Sequence, residues 1–319
     1  MSVALLFSPQ GSQAVGMGRE LADASAAARQ AFAAADAALG WSVSETCWHG
    51  PQERLDDTRQ TQPCLLTTSI AALRALEERM RPAPTVVAGH SVGEYAALVA
   101  AGVLQLDAAL RLVARRAELM AAVDVGGGMS AVIGLERPAV QSIVEAAGRP
   151  TELVVANDNA PGQVVISGLS DPLEAAEALL REAGARRVIR LPVSGPFHSP
   201  LMAGVAEQLH DAFEAESWND AEVPVMSNVT AEPVSDAGRI RALLAEQVRS
   251  PVEWRRCVER MADDGVDVAV ELGAGSALVG MLRRIAPQIR ASAVADRASL
   301  DGAVALLAAN AAEAVGAAG

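Results

Sequence analysis

The sequence contains no lysine: all 26 basic residues are arginine, set against 39 acidic ones. The formal net charge is −13, an acidic excess that argues against general nucleic-acid binding, which needs a basic face. An acidic partner would have to dock on a local arginine patch, against the overall field. Cysteine is scarce. Cys47, Cys64 and Cys257 are isolated, odd in number and without metal-ligand spacing, so neither a disulfide framework nor a metal site is expected. No apolar run reaches the roughly 20 residues of a membrane-spanning helix, and the alanine-rich stretch from Ala303 to Ala318 is broken by Asn310 and Glu313. The first residues lack the basic stretch and apolar segment of a secretory signal. The expectation is a cytoplasmic, monomeric protein with no membrane attachment. Repeats and low-complexity linkers are also missing.

What is present is a large apolar fraction, 51% of 319 residues, enough for a substantial core and two subdomains. Short apolar runs alternate with helical periodicity. Val3 to Phe7, the run ending at Gly89, Val223 to Met226, Val266 to Leu272 and Ala291 to Ala295 read as strands. Helices are predicted over Ser25–Leu39, Gln60–Met80, Asp107–Met120, Leu201–Ala215, Arg239–Val248, Val252–Met261 and Leu300–Val315. Such alternation predicts an α/β fold with a mainly parallel sheet. After Gly126-Gly127-Gly128, which reads as a hinge, the order becomes β-α-β-β-α-β. The strands are Met129–Leu135, Leu153–Asn157, Gln163–Ser167 and Arg187–Leu191; the helices are Pro138–Ala147 and Pro172–Ala183. That is the order of a ferredoxin-like unit. The expected division is a large α/β-hydrolase-like subdomain over 1–125, an inserted ferredoxin-like subdomain over 126–192, and the rest of the large subdomain with a C-terminal helix over 193–319.

One stretch carries chemistry. Val86-Val87-Ala88 leads into Gly89-His90-Ser91-Val92-Gly93-Glu94, and a helical run follows. Strand, sharp turn, helix with serine at the apex is the pattern of a nucleophile elbow, in which small residues must flank the strained turn. The helix N-terminus directs N–H groups and a positive dipole end at the same point. A plain structural turn is the competing reading. The polar turn Ser8 to Gln13 follows the first strand, where loops of an open α/β sheet line the site.

Arg116 is out of place. Ala109, Leu112, Val113, Leu119 and Met120 mark an apolar helix face, and Arg116 falls on it. Its neighbours at three and four residues are Leu112, Val113, Leu119 and Met120, none a carboxylate. A buried guanidinium left unpaired costs on the order of 3–5 kcal/mol. A distant carboxylate, a ligand anion or a snorkelling side chain would each account for it. Among four histidines, His90 adjoins Ser91 across a tight turn and points elsewhere, while His49 and His210 read as surface residues. His198, in the Pro- and Gly-rich loop Pro192 to Pro200, is the candidate base, against a structural loop histidine.

These segments together resemble the malonyl-CoA:acyl carrier protein transacylases, whose fold also serves as the acyltransferase domain of polyketide synthases. The likeness runs over nearly the whole chain. It rests on Gln10-Gly11-Ser12-Gln13, Thr61-Gln62-Pro63, Gly89 to Glu94, Arg116, Phe197-His198-Ser199 and Ser250-Pro251-Val252-Glu253-Trp254. The resemblance implies Ser91 as nucleophile and His198 as its base, oriented by the backbone carbonyl of Gln247. It implies an oxyanion hole from the N–H groups of Gln10 and Val92, and Arg116 as the grip on the malonyl carboxylate. Gln62, Asn157, Asn228 and Phe197 match positions at the substrate site. Malonyl-CoA and an acyl carrier protein would be the partners. No cofactor is implied, phosphopantetheine being borne by the substrates.

Relatives that take methylmalonyl often carry serine before the histidine and glutamine after the nucleophile. Here Phe197 and Val92 stand there, which predicts a preference for malonyl. The sequence departs from the family at Ser8-Pro9, where Pro-Gly is usual, directly before an oxyanion donor. The rival reading is a serine thioesterase or acyl hydrolase of a polyketide pathway on the same scaffold.

Overall fold

The computed structural model describes residues 2–317. The chain opens with β1 (Ser2–Phe7), α1 (Arg19–Ala24), α2 (Ala26–Leu39), α3 (Val43–His49), α4 (Gln52–Asp56), α5 (Thr58–Arg79), β2 (Val86–Gly89), α6 (Gly93–Ala100) and α7 (Leu106–Ala121). It continues through β3 (Gly127–Ile133), α8 (Arg137–Ala147), β4 (Leu153–Ala160), β5 (Gln163–Leu169), α9 (Ser170–Glu182) and β6 (Arg187–Arg190). A 3₁₀ turn, Pro200–Met202, leads to α10 (Ala203–Phe213), β7 (Val225–Met226), β8 (Pro233–Val234) and α11 (Ala237–Gln247). The last elements are α12 (Trp254–Asp263), β9 (Val266–Leu272), α13 (Ala277–Ile285), β10 (Arg290–Val294) and α14 (Arg297–Ala317).

Two sheets organise these elements. The larger has six strands in the order β10-β9-β1-β2-β7-β8. Every pairing in it is parallel except β7 with β8. Its central strands are covered on both faces, which is why they read as unbroken apolar runs. The period-2 alternation of a strand divides β1 between two cores. Val3, Leu5 and Phe7 face the larger one, with Phe32, Leu66 and Leu112 from α2, α5 and α7. Ala4 and Leu6 face the smaller, with Trp254, Leu278 and Leu282 from α12 and α13.

The second sheet is antiparallel, in the order β4-β5-β3-β6. With α8 and α9 on one face this is the ferredoxin-like arrangement read from the sequence. Val140, Val144, Leu173 and Leu180 from the helices pack on Val132, Leu153, Val164 and Ile166. Residues around Pro251 tie the two sheets together. Asn157 makes a parallel bridge with Val252, Val252 N–H donates to Ala156 O at 2.8 Å and Asp158 N–H to Val252 O at 3.0 Å.

Two expectations change. Gly127 and Gly128 are not hinge but the start of β3, paired with Leu169 and Gly168. Glycine is needed there for closeness: a Cβ on Gly127 would fall 2.5 Å from Gly168 O. The run Leu201–Ala215 begins as the 3₁₀ turn and becomes α-helical only at Ala203.

Candidate active site

The elbow forms where β2 meets α6, and its glycines are required by contact. A Cβ on Gly89 would lie 1.9 Å from the Gly93 carbonyl carbon, and one on Gly93 would lie 2.3 Å from Phe7 O. The turn is therefore pressed against itself and against the end of β1. Ser91 pays for this closeness with φ 54°, a left-handed conformation that a non-glycine residue adopts rarely. Asn228 braces it. Its Oδ1 accepts the Ser91 N–H at 2.7 Å and its Nδ2 donates to Gly89 O at 2.7 Å.

The loop after β6 brings His198 over this serine, also at positive φ, 56°. His198 Nε2 lies 2.7 Å from Ser91 Oγ, and Nδ1 lies 2.8 Å from Gln247 O. A carbonyl can only accept, so Nδ1 carries the proton and Nε2 is free to accept from the serine hydroxyl. Burial, reinforced by the Arg116 charge, holds the imidazole pKa down to about 3. The ring is therefore neutral at pH 7, the state a base requires.

Arg116 reaches the same hydroxyl. Its side chain is 1% exposed, which removes snorkelling as an explanation. One terminal nitrogen donates to Gln62 Oε1 at 2.6 Å; the other donates to Ser91 Oγ and to Gln247 Oε1, both at 3.1 Å. Among the described residues, all of these acceptors are neutral and Nε has none. The Tyr95 ring lies under the guanidinium, 5.9 Å from Cζ to centroid. A distant carboxylate does exist, but at one remove. Glu94 Oε2 accepts from Gln247 Nε2 at 2.7 Å, so Gln247 stands between the two charges. Burial raises the Glu94 carboxyl to about 7, partly countered by Gln247, the Asn228 N–H and Arg116.

Above Ser91 and His198 opens a cleft of about 180 Å³ between the two sheets. Gln10 borders it from the loop after β1, Asn157 and Asn159 from β4, and Met120, Met129 and Phe197 form apolar walls. A wider groove of about 620 Å³ between α10 and α11 holds neither Ser91 nor His198. The cleft with the reactive groups is the one with a chemical purpose.

Gln10 lines the same cleft as Ser91 and Val92 follows Ser91 in the elbow; neither backbone N–H donates to a protein acceptor among the described residues. The Ser8-Pro9 departure is accommodated by an anchor on β9: Ser8 N–H donates to Leu272 O at 3.4 Å, and its hydroxyl donates to the buried Glu271 Oε1 at 3.2 Å.

Of the site residues expected from sequence, Gln10, Ser91, Asn157, Phe197 and His198 line the cleft, while Val92, Arg116, Gln247, Gln62 and Asn228 are buried behind its lining. Gln62 holds Arg116 through Oε1 and reaches Met120 Sδ through Nε2 at 3.5 Å. Asn228, expected to meet substrate, has both polar side-chain atoms engaged beneath the turn. His90 turns away from the serine, its Nε2 2.7 Å from Asn159 Oδ1, and His49 and His210 are exposed. Sequence reasoning missed Glu94, Asn159 and the Gln247 side chain. The signal for Glu94 was visible: a carboxylate three residues after the serine, on a helix whose neighbours Tyr95, Ala96, Ala97 and Leu98 are apolar. Among arginines that could form a local patch for an acidic partner, Arg190 pairs with Glu177, Arg255 with Glu136 and Glu259, and Arg256 with Glu253, while Arg186 and Arg187 are exposed.

Comparison with known proteins agrees with this geometry. The acyl transferase domain profile matches residues 4–308. The malonyl CoA-acyl carrier protein transacylase of Bacillus subtilis (strain 168) is 40% identical over 302 residues, 94% of this chain and 95% of that protein. The transacylase of the same name from Salmonella typhimurium is 41% identical, covering 94% and 98%. The solved structure of the Coxiella burnetii malonyl CoA-acyl carrier protein transacylase superposes with a TM-score of 0.93 at 36% identity, covering 96% of this chain and 98% of that one. A solved complex of a type II PKS acyl-carrier protein with its malonyl-transacylase gives 0.92 at 38% identity, covering 95% and 99%. Profile, sequence and fold agree over almost the full length of both partners in each comparison, and the chain belongs to the malonyl-CoA:acyl carrier protein transacylase family of acyltransferases.

Proposed function

We propose that this chain moves a malonyl group from malonyl-CoA, through an ester on Ser91, to the phosphopantetheine thiol of an acyl carrier protein. In the first half-reaction Ser91 Oγ bonds to the thioester carbonyl carbon while its proton passes to His198 Nε2. The tetrahedral oxyanion is held by the Gln10 and Val92 N–H groups. The C–S bond then breaks and the coenzyme A sulfur takes the proton back from His198. In the second, the carrier thiol gives its proton to His198 and its sulfur bonds to the ester carbonyl. The C–O bond breaks and Ser91 Oγ recovers the proton. Gln247 O holds the imidazole in the tautomer both steps require. Serine, imidazole and amides suffice, so the reaction as written uses no bound cofactor.

The observation that carries this reading is the guanidinium of Arg116, buried among neutral oxygens and 3.1 Å from the nucleophile. A planar fork suits a carboxylate with two parallel hydrogen bonds, and malonyl brings a carboxylate two carbons from the reacting carbonyl. A hydrolase of neutral acyl groups has no use for a desolvated cation at its serine. Phe197, 4% exposed at the cleft wall, crowds an α-methyl branch and favours malonyl over methylmalonyl. The test is incubation with isotopically tagged malonyl-CoA in the absence of carrier protein, followed by peptide mass mapping. One malonyl group on the Ser91 peptide, discharged by a holo acyl carrier protein, is expected. Steady release of free malonate with no adduct would mark a hydrolase instead.

A further inference from the structure

Glu94 takes no part in the chemistry above, yet it is 3% exposed and sits at the hub of the site. Its Oε2 accepts from Gln247 Nε2 at 2.7 Å and from the Asn228 N–H at 3.3 Å. Gln247 in turn donates to Ser91 O at 3.0 Å, accepts from Arg116 at 3.1 Å and offers its backbone carbonyl to His198. One carboxylate therefore fixes which way the Gln247 amide faces. With its NH₂ held by Glu94 and Ser91 O, its oxygen must face Arg116.

We infer that Glu94 is a positioning residue and the resident counter-charge of Arg116, and that malonyl loading displaces its negative charge by protonating it. Two carboxylates then compete for one guanidinium. In the empty enzyme Glu94 offsets the buried cation through Gln247. When the malonyl carboxylate takes the fork directly, a second anion enters the same low-dielectric space, and like charges there disfavour one another strongly. The malonyl group is covalently tethered and meets the guanidinium directly, so Glu94 is the one that accepts a proton. The inference deepens the transferase reading and rests on it.

Among the described residues, Glu94 has no other charged partner. Arg116 faces it from α7, Tyr95 lies on its own helix and the Cys257 thiol on α12 is near enough to feel its charge. His198 stands beyond Gln247 and is neutral. β1, β2 and β7, which pack on α6, carry no titratable side chain. The charged residues of α5 and the remaining ones of α7 are exposed or half-buried on the outer faces of those helices. The carboxyl titrates from about 7 in the empty enzyme, so the exchange falls at neutral pH.

The loaded enzyme binds more protons than the empty one, so loading is favoured at low pH and weakens as pH rises through 7. The experiment measures the equilibrium constant for loading malonyl from malonyl-CoA onto wild type and Glu94→Gln between pH 6 and 8.5. Taking their ratio cancels the ionisation of the coenzyme A thiol. The amide of Glu94→Gln can still accept from Gln247 but cannot titrate. The wild-type to variant ratio is expected to fall about tenfold across that range; a ratio constant within twofold overturns the inference. A second measurement needs only the wild type. Loading in weakly buffered, dye-indicated solution at pH 7 takes up a substantial fraction of a proton per malonyl bound, and no uptake refutes the assignment. If malonyl does not load on Ser91 at all, the transferase reading itself fails. If it loads without proton uptake, only the role of Glu94 does.

Discussion

Replacing Arg116 with alanine separates the transferase from any neutral acyl hydrolase built on the same dyad. The guanidinium makes two hydrogen bonds to amide oxygens and one to Ser91 Oγ, so its loss leaves Ser91 and His198 in place but removes the positive charge beside the hydroxyl. A malonyl carboxylate would then be buried without a partner, at a cost on the order of 3–5 kcal/mol. At 1.36 kcal/mol per decade this is roughly two to four orders of magnitude in kcat/KM for malonyl transfer. An acetyl group has no carboxylate to lose, so its transfer or hydrolysis should change by less than about tenfold. Arg116→Lys keeps the charge without the fork and should recover only part of the loss. The assay is transfer from malonyl-CoA and acetyl-CoA to a holo carrier protein, read as the ratio of the two kcat/KM values. If R116A lowered both equally, or left malonyl transfer intact, the carboxylate-reading role of Arg116 would be refuted.

Further outcomes are expected. An imidazole must be neutral to serve as a base, and burial holds the His198 pKa down to about 3. The acid limb of kcat/KM should therefore lie well below the 6.5 of an ordinary imidazole; a limb at 6.5 in a pH–rate profile contradicts the buried-dyad geometry. Phe197→Ser opens the wall and should improve methylmalonyl over malonyl transfer by about 1–3 kcal/mol of discrimination, measured with both thioesters in competition. Ser8→Ala removes the hydroxyl bonded to Glu271 and loosens the loop that carries Gln10. A loss on the order of 1 kcal/mol should appear in kcat rather than in KM. Gly93→Ala forces a Cβ to within 2.3 Å of Phe7 O, and soluble, folded protein in denaturation assays would show that the elbow is less tightly packed than described.

Much of this was legible in the residues. The apolar run into Gly89 and the glycine pair four residues apart specify a strand–turn–helix because no Cβ fits at either glycine. The β-α-β-β-α-β rhythm between Gly127 and Arg190 was legible because each strand and helix keeps its own period. Arg116 stood out because one charge on an apolar helix face is conspicuous. What resisted reading depends on distant contact. The Glu94–Gln247 bond joins residues 153 positions apart, and nothing local marks a glutamine as a bridge between two charges. Helix α13 escaped because Gly273-Ala274-Gly275 reads as a terminator; its N-terminus is in fact capped from β9, where Glu271 accepts the Val279 N–H at 2.9 Å. The glycines at 127 and 128 misled for a related reason. Glycine permits both a hinge and a close strand crossing, and only the neighbouring strand decides between them.

The most direct test is the structure of the malonylated enzyme, trapped with malonyl-CoA and no carrier protein. The expected result is an ester on Ser91 Oγ, its carbonyl oxygen at the Gln10 and Val92 N–H groups, and both carboxylate oxygens within about 3 Å of the two terminal nitrogens of Arg116. A carboxylate turned out to solvent, with Arg116 still held by Gln62 and Gln247, would contradict it.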